Sequence, residues 1–404
     1  MLKLNRFQSC IQRMRSFSSF AVVVFTCLAF VSLSFGQTFS AVHGKLSTKG
    51  GHFVDKNGQD IQLHGMAMYP WTDACGYVFY NHAAINSLVA SPWHCTAIRL
   101  PYLSSIPVSD IDTVVQACID NGIYCIVDWH SGGVGDTAAP QAFFKTLATA
   151  YHSYVNIMYE PWNEPSGVTW AQIKPYMESV IHTIRAIDTG NIIICGNPNW
   201  DQDPQEAAAS PITDATNIAY SMHFYAASHP EASFGPGITT AMNDGCAIFI
   251  TEYGTCNASG GSPISLTATE TWYEFLDKNK IGSTNWGVEC QDEGGAACFE
   301  KGADALTGGP WPSSDMTSEG LFVQNYIDTS YHLTTGVLPS DESKFQQRAN
   351  GPNMNGLLTG AVTKSAAVYT INGVRCPAGS KLPNGLYIVR DPAGNSAVTG
   401  LMMR

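Results

Sequence analysis

Apolar and polar positions follow two periods along this chain. Short, nearly continuous apolar runs recur at Ile61–Met68, Cys95–Leu100, Ile123–Trp129, Tyr154–Tyr159, Asn191–Cys195, Ile218–Phe224, Ala247–Thr251 and Gly282–Val288. Runs of this length, apolar on both faces, predict parallel strands covered on either side. Longer segments with helical spacing lie between them. Ser109–Asn121 has a polar start, apolar positions three and four apart, and Gly122 to close it. Trp170–Ile187 and Thr267–Asn279 read the same way. Eight strand–helix units between about Val42 and Ile327 predict an α/β chain folded as a (β/α)8 TIM barrel. No Gly-x-Gly-x-x-Gly follows the first strand and no Walker sequence occurs, which argues against a doubly wound nucleotide fold.

The pattern breaks at both ends. Lys3, Arg6, Arg13 and Arg15 precede an apolar run from Phe20 to Leu33, and Ser34 and Gly36 are small. This predicts a signal peptide over 1–36 that is cleaved after Gly36. The rival is a membrane anchor, for which the run is short. After Ser330 the chain turns rich in Gly, Asn, Pro, Ser and Thr, which predicts a linker over 331–360. Strand-like stretches at Ala367–Arg375, Gly385–Arg390 and Ala397–Met403 then predict a small C-terminal β module over 361–404. The barrel is thereby bounded at 37–330.

Charge narrows the partners. The chain carries a formal −12, and only 13% of its residues are charged. Loss of the four leader cations would take it to −16, which argues against nucleic acid, whose phosphates need a basic surface, and against anionic polysaccharides. An uncharged substrate fits. Export would permit disulfides, and nearness in sequence makes Cys290 with Cys298, and Cys246 with Cys256, candidate pairs. No Cys-x-x-Cys pair or compact His/Cys cluster marks a structural zinc. No metal or organic cofactor is expected, no membrane span beyond the leader, and a monomer.

In a barrel, groups at the C-terminal ends of the strands converge on one face. Arg99 stands at the second end, Asp128-Trp129-His130 at the third, Asn163-Glu164-Pro165 past the fourth, His223-Phe224-Tyr225 at the sixth, Glu252-Tyr253-Gly254 at the seventh and Trp286 on the eighth. Two carboxylates from facing strands suit glycoside hydrolysis, in which one protonates the leaving oxygen and the other stands at the anomeric carbon. Arg99 beside Glu252 would hold it ionised. His130, His223 and Tyr225 can bond sugar hydroxyls or orient the carboxylates. Trp286 offers a face to a pyranose ring.

Seven stretches together resemble glycoside hydrolase family five, in its bacterial endoglucanase branch. They are His43-Gly-Lys-Leu-Ser, Ile61-Gln-Leu-His-Gly-Met, Ala97-Ile-Arg-Leu-Pro, Val127-Asp-Trp-His, Met158-Tyr-Glu-Pro-Trp-Asn-Glu-Pro, Tyr220-Ser-Met-His-Phe-Tyr-Ala and Phe249-Ile-Thr-Glu-Tyr-Gly-Thr. The resemblance implies a retaining endo-β-1,4-glucanase acting on cellulose or a related glucan, with Glu164 as acid/base and Glu252 as nucleophile. It implies Arg99, His130, Asn163, His223, Tyr225 and Trp286 as the surrounding shell, Asn163 bonding the sugar 2-hydroxyl. Tyr69 stands where relatives usually carry histidine, and Gln291 where many carry lysine. These departures leave a β-mannanase or another β-1,4-glycanase as the alternative within the family. A non-catalytic glycan-binding surface barrel is a third reading, but it would lack one or both carboxylates. The tail, Tyr369-Thr-Ile-Asn-Gly-Val-Arg then Leu382-Pro-Asn-Gly-Leu-Tyr-Ile-Val-Arg, resembles the sorting module of proteins exported by type IX secretion. That implies a secreted or cell-surface location. A generic or substrate-binding β domain is the other reading of the tail.

Overall fold

A computed structural model describes residues 37–71, 76–291, 296–300, 308–335, 367–370, 375–376, 385–390 and 396–401. The predicted leader and most of the predicted linker lie outside these residues. Eight parallel strands close a barrel: β1 (His64–Met68), β2 (Ala97–Tyr102), β3 (Tyr124–Trp129), β4 (Ile157–Glu160), β5 (Ile193–Cys195), β6 (Ile218–Tyr225), β7 (Ala247–Gly254) and β8 (Ser283–Val288). Neighbours in sequence are neighbours in the sheet, and β8 returns to β1. Each matches one apolar run, because these strands are buried on both faces.

The helices follow from pattern and caps. Val108–Asn121 buries Ile111, Val114, Val115 and Cys118, an i, i+3, i+4, i+7 stripe. Gly122 ends it at φ 64°, its N–H reaching Cys118 and Ile119 carbonyls. Trp170–Arg185 starts where Gln172 Oε1 accepts the Thr169 N–H at 3.0 Å.

Two apolar layers divide the strands. Residues facing outward pack under the helices in the larger cluster, with Ile98, Cys125, Val127, Ile248 and Ile250 among them. Inward residues near the N-terminal strand ends form a second cluster, including Leu63, Ala97, Tyr124, Ile126, Met158, Ala219 and Phe249. Phe39, from the short helix Phe39–His43, and Phe53, from the hairpin Ser47–Lys49/His52–Val54, plug that end. Phe53 meets Phe249 at 5.4 Å between ring centroids, and Phe39 meets Tyr124 at 6.3 Å. One step further along the same inward rows the side chains turn polar, to Arg99, Asp128, Glu160, Ser221 and His223, all buried. The barrel is thus sealed with hydrocarbon at one end and lined with charge at the other.

Sequence expectations need correction at two points. Neither proposed cysteine pair forms: Cys246, Cys256 and Cys298 are free, whereas Cys290 is disulfide-bonded. Nearness in sequence did not bring those sulfurs into bonding geometry. The last helix, Ser318–Thr335, also runs through the predicted boundary at 330/331. Tyr331 stacks on His94 at 4.6 Å and packs near Phe39. In the tail, Arg375–Cys376, Ala367–Thr370, Gly385–Arg390 and Ser396–Leu401 pair in that order as an antiparallel sheet.

Candidate active site

The charged end of the barrel is organised by one guanidinium. Arg99, on β2, is fully buried. Its Nε and Nη2 donate to Glu160 at 2.8 and 3.1 Å, its Nη1 donates to Glu252 Oε2 at 2.7 Å, and Nη2 also donates to Asn163 Oδ1 at 2.6 Å. Asp128 Oδ2 lies 3.0 Å from Nη2. One positive charge therefore serves three buried carboxylates. Burial, together with nearby Glu252 and Glu164, pushes Asp128 up to about 7 against the pull of Arg99. Burial raises Glu160 as well.

Glu252 reaches the axis through a register fault. Ser221 pairs with Phe249, but His223 pairs with Glu252, so β7 carries one extra residue against β6. Strict alternation from inward Phe249 would send Thr251 in and Glu252 out. The bulge turns both inward, while Tyr253 still packs outward in the core under the helices. Tyr225 then donates its hydroxyl to Glu252 Oε1 at 2.6 Å, so each carboxylate oxygen has one fixed donor.

Glu164 follows β4 and holds a left-handed backbone at φ 52°, uncommon for a residue with a side chain. Its N–H donates to Asp201 Oδ2 at 3.0 Å, and Asp201 Oδ1 accepts the Asn197 N–H at 2.6 Å. Asp201 itself closes a turn in which Asn199, Trp200 and Asp201 are all left-handed. Burial raises the Glu164 carboxyl above the ordinary range, against the pull of His130 and Arg99. His223 lies between its two partners, Nδ1 at 3.0 Å from Glu164 Oε1 and Nε2 at 2.8 Å from Thr251 Oγ1. Burial pushes His223 down to about 4, so its ring is neutral near neutral pH. A neutral ring has one donor and one acceptor nitrogen. It can accept from a protonated Glu164 or, as the other tautomer, donate to the carboxylate, with the Thr251 hydroxyl turning to match.

The carboxylates converge. Oxygens of Glu164 and Glu252 and a ring nitrogen of His223 all lie within 4.8 Å of one another. Donors of these types also suit a divalent cation; Arg99 Nη1 already places positive charge on Glu252. The pair opens into a cleft of about 320 Å³ lined by Tyr69, Trp71, His130, Asn163, Tyr225, Trp286, Glu289 and the turn 258–261. His130 Nδ1 lies 2.7 Å from Asp128 Oδ2, and its ring is parallel to Trp286 at 5.6 Å. Burial pushes His130 down to about 4. Tyr69, Trp71 and Trp286 form one aromatic wall, with centroids 5.0 to 5.9 Å apart.

All eight residues singled out in sequence thus meet here. Gln291, at the other departure position, ends the short strand Cys290–Gln291 just past β8. Sequence reasoning passed over Asp128 and Glu160 as site members, along with Thr251 and Asp201. Glu160 is one apolar-run position beyond Tyr159, and an acid ending a buried strand was the available signal. Asp201 belongs to the fifth strand end, to which the sequence reading assigns no group.

A family model described as cellulase (glycosyl hydrolase family 5) matches residues 54–291. An endoglucanase of Clostridium saccharobutylicum is 35% identical over 367 residues, covering 87% of this chain and 80% of that one. Endoglucanase Z of Dickeya dadantii is 40% identical over 221 residues, 54% of this chain and 49% of its own length. Among solved structures, one from Cytophaga hutchinsonii gives a TM-score of 0.70 at 37% identity, covering 75% of this chain and 100% of that one. The catalytic domain of a Thermobifida fusca endoglucanase, solved in complex with cellotetraose, gives 0.65 at 30% identity over 72% of this chain and 99% of that one.

Proposed function

The chain belongs to glycosyl hydrolase family 5, and from that premise we propose that it is an endo-β-1,4-glucanase working by double displacement, with Glu252 as nucleophile and Glu164 as acid/base. The observation that carries this reading is the approach of the two carboxylates, whose oxygens come within 4.8 Å. Retaining glycosidases hold them about 5–5.5 Å apart, whereas inverting ones leave roughly 6.5–9.5 Å for a water.

The contacts support these roles. A Glu252 oxygen attacks the anomeric carbon as the glycosidic C–O bond breaks, and the Glu164 proton passes to the departing oxygen. Glu164, now a carboxylate, then takes a proton from water, whose oxygen displaces Glu252 from the sugar. The raised carboxyl of Glu164 suits the first role, because the acid must arrive protonated. Asn163 spends its Oδ1 on Arg99, which leaves its amide N–H groups for the sugar 2-hydroxyl. His130 spends Nδ1 on Asp128, which leaves Nε2 to a ligand. The wall of Tyr69, Trp71 and Trp286 gives sugar rings apolar faces, and a neutral β-1,4-glucan suits a chain of net charge −12. We propose further that the protein acts as a monomer outside the cell. The basic and apolar leader pattern supports export, and no helix among the described residues is long and apolar enough to cross a membrane.

Proton NMR of the first product released from a soluble β-glucan tests the mechanism. A β-anomer should appear first, and an initial α-anomer would sink double displacement. Glu164→Gln and Glu252→Gln should each lose at least about 10²-fold in turnover of polymer while remaining folded. Reducing-sugar release from carboxymethylcellulose, mannan and xylan, measured side by side, should favour the first. Preference for mannan would replace the glucanase reading with that of a mannanase.

A further inference from the structure

At the hydrocarbon-sealed end of the barrel a second group of ligating side chains has gathered. His94 lies in the turn that leads into β2. Asp328 and His332 stand one helical turn apart on Ser318–Thr335, so both project from one face of that helix. His94 Nδ1 is 2.6 Å from Asp328 Oδ1, and His332 Nε2 is 3.2 Å from the same oxygen. One ligand atom from each of the three lies within 4.8 Å of the others. The two imidazoles meet edge to face at 4.9 Å. All three side chains are partly buried, at 18%, 23% and 10% exposed, so an ion could enter from solvent and keep water in its remaining positions.

We propose that His94, Asp328 and His332 form a binding site for a late first-row divalent cation of the Zn²⁺ class, which clips the last helix to the turn before β2. Two imidazoles and one carboxylate are a donor set for Zn²⁺ and its neighbours; Ca²⁺ and Mg²⁺ prefer oxygen throughout. Zinc ligands at about 2.0–2.1 Å from the metal stand some 3.3 Å from one another, so the 2.6 and 3.2 Å spacings need only small side-chain rotations. The ligands are also held. His94 sits at φ 52°, a left-handed conformation that few non-glycine residues keep without support. Its N–H reaches the Ala90 carbonyl, and Tyr331 stacks on its ring at 4.6 Å and 7°. The cluster was invisible in sequence because 234 positions separate His94 from Asp328.

The full chain, stripped with chelator and dialysed, should bind one Zn²⁺ by isothermal titration calorimetry, and its Tm should rise with the ion. Ca²⁺ should do neither. Co²⁺ in place of Zn²⁺ should give visible d–d bands that report nitrogen ligation. His332→Ala and His94→Ala should each weaken binding at least about a hundredfold and remove the Tm rise, with circular dichroism confirming that the variants fold. Glu252→Gln, which breaks up the catalytic carboxylate pair, should bind as the wild type does. No one-to-one binding at micromolar protein overturns the proposal. Binding that survives both histidine variants and disappears in Glu252→Gln also overturns it, because the ion would then sit in the catalytic cleft.

Discussion

At the residue scale, the site depends on how protons and one positive charge are shared among buried acids. Arg99 makes charge-assisted bonds to Glu160 and Glu252 and lies against Asp128. Losing one partner from such a buried set costs about 3–5 kcal/mol, so Arg99 holds the site together. Glu164, the proposed acid/base, has a finer control in His223. A neutral His223 must choose which nitrogen carries its proton, and the Thr251 hydroxyl at 2.8 Å lets it choose either. Replacing Thr251 with Val removes that partner. Asp201 Oδ2 at 3.6 Å and Glu160 Oε1 at 3.9 Å lie too far from Nε2 to take its place. A buried N–H with no acceptor is costly, so the proton should move to Nδ1 and donate to the Glu164 carboxylate. Hydrogen bonding to the charged form lowers a carboxyl pKa. Wild-type activity should persist above the ordinary carboxylate range and fall as pH rises through the raised Glu164 value. In Thr251→Val that alkaline limb should move to lower pH, with kcat down about tenfold. A rate–pH profile of kcat/KM with an unmoved alkaline limb would show that Thr251 only fills space.

At the scale of elements, a chain ending after Thr335 should keep the wild-type Tm, while one ending after Ser330 should melt several degrees lower. The shorter chain loses the last turn of Ser318–Thr335, with the Tyr331 stack on His94 and the His332 contact to Asp328. Equal melting temperatures by differential scanning calorimetry would place the barrel's end at Ser330 after all. The sequence hid this because Tyr331-His332-Leu333-Thr334-Thr335 has no strong helix former at its end and runs straight into a Gly-rich stretch. The strands were legible for the opposite reason. Parallel strands buried on two faces leave uninterrupted apolar runs, and ends such as Gly122 carry their own chemistry in a left-handed cap. Placing Glu252 took more than alternation. The Ser221–Phe249 and His223–Glu252 pairings differ by one residue, and no periodicity announces a bulge. Motif resemblance pointed to Glu252, but its geometry came from the fold. Glu160 and Asp201 were missed because each works through a neighbour, Arg99 in one case and the Glu164 N–H in the other. Sequence order shows which groups end the strands, not which of them meet behind the site. The cysteines show the same limit, since closeness along the chain did not bring Cys290 to Cys298.

At the scale of the whole molecule, the barrel and the tail divide the charge. Residues from Tyr331 onward carry seven Lys/Arg against three Asp/Glu, while the chain as a whole is at −12. Every residue gathered in the cleft comes from between Tyr69 and Ala296, and the eight strands close without any segment beyond Val288. A chain ending after Thr335 should therefore hydrolyse soluble glucan at close to the full-length rate. If the tail rests on the acidic barrel, contacts between exposed charges of opposite sign are weak and screened by salt, so their loss should cost little at physiological ionic strength. We propose that the four short antiparallel strands of the tail serve delivery or attachment. Expressed in its native host, the shortened enzyme should accumulate with full specific activity but fail to reach the outside of the cell, as cell fractionation and activity on soluble glucan would show. Two outcomes would count against the sorting role. If the shortened chain is released normally but loses activity on insoluble cellulose alone, the tail is a substrate-binding module. If activity on soluble glucan collapses while the Tm holds, the tail contributes to the cleft itself, and the division of labour drawn from charge and strand order fails.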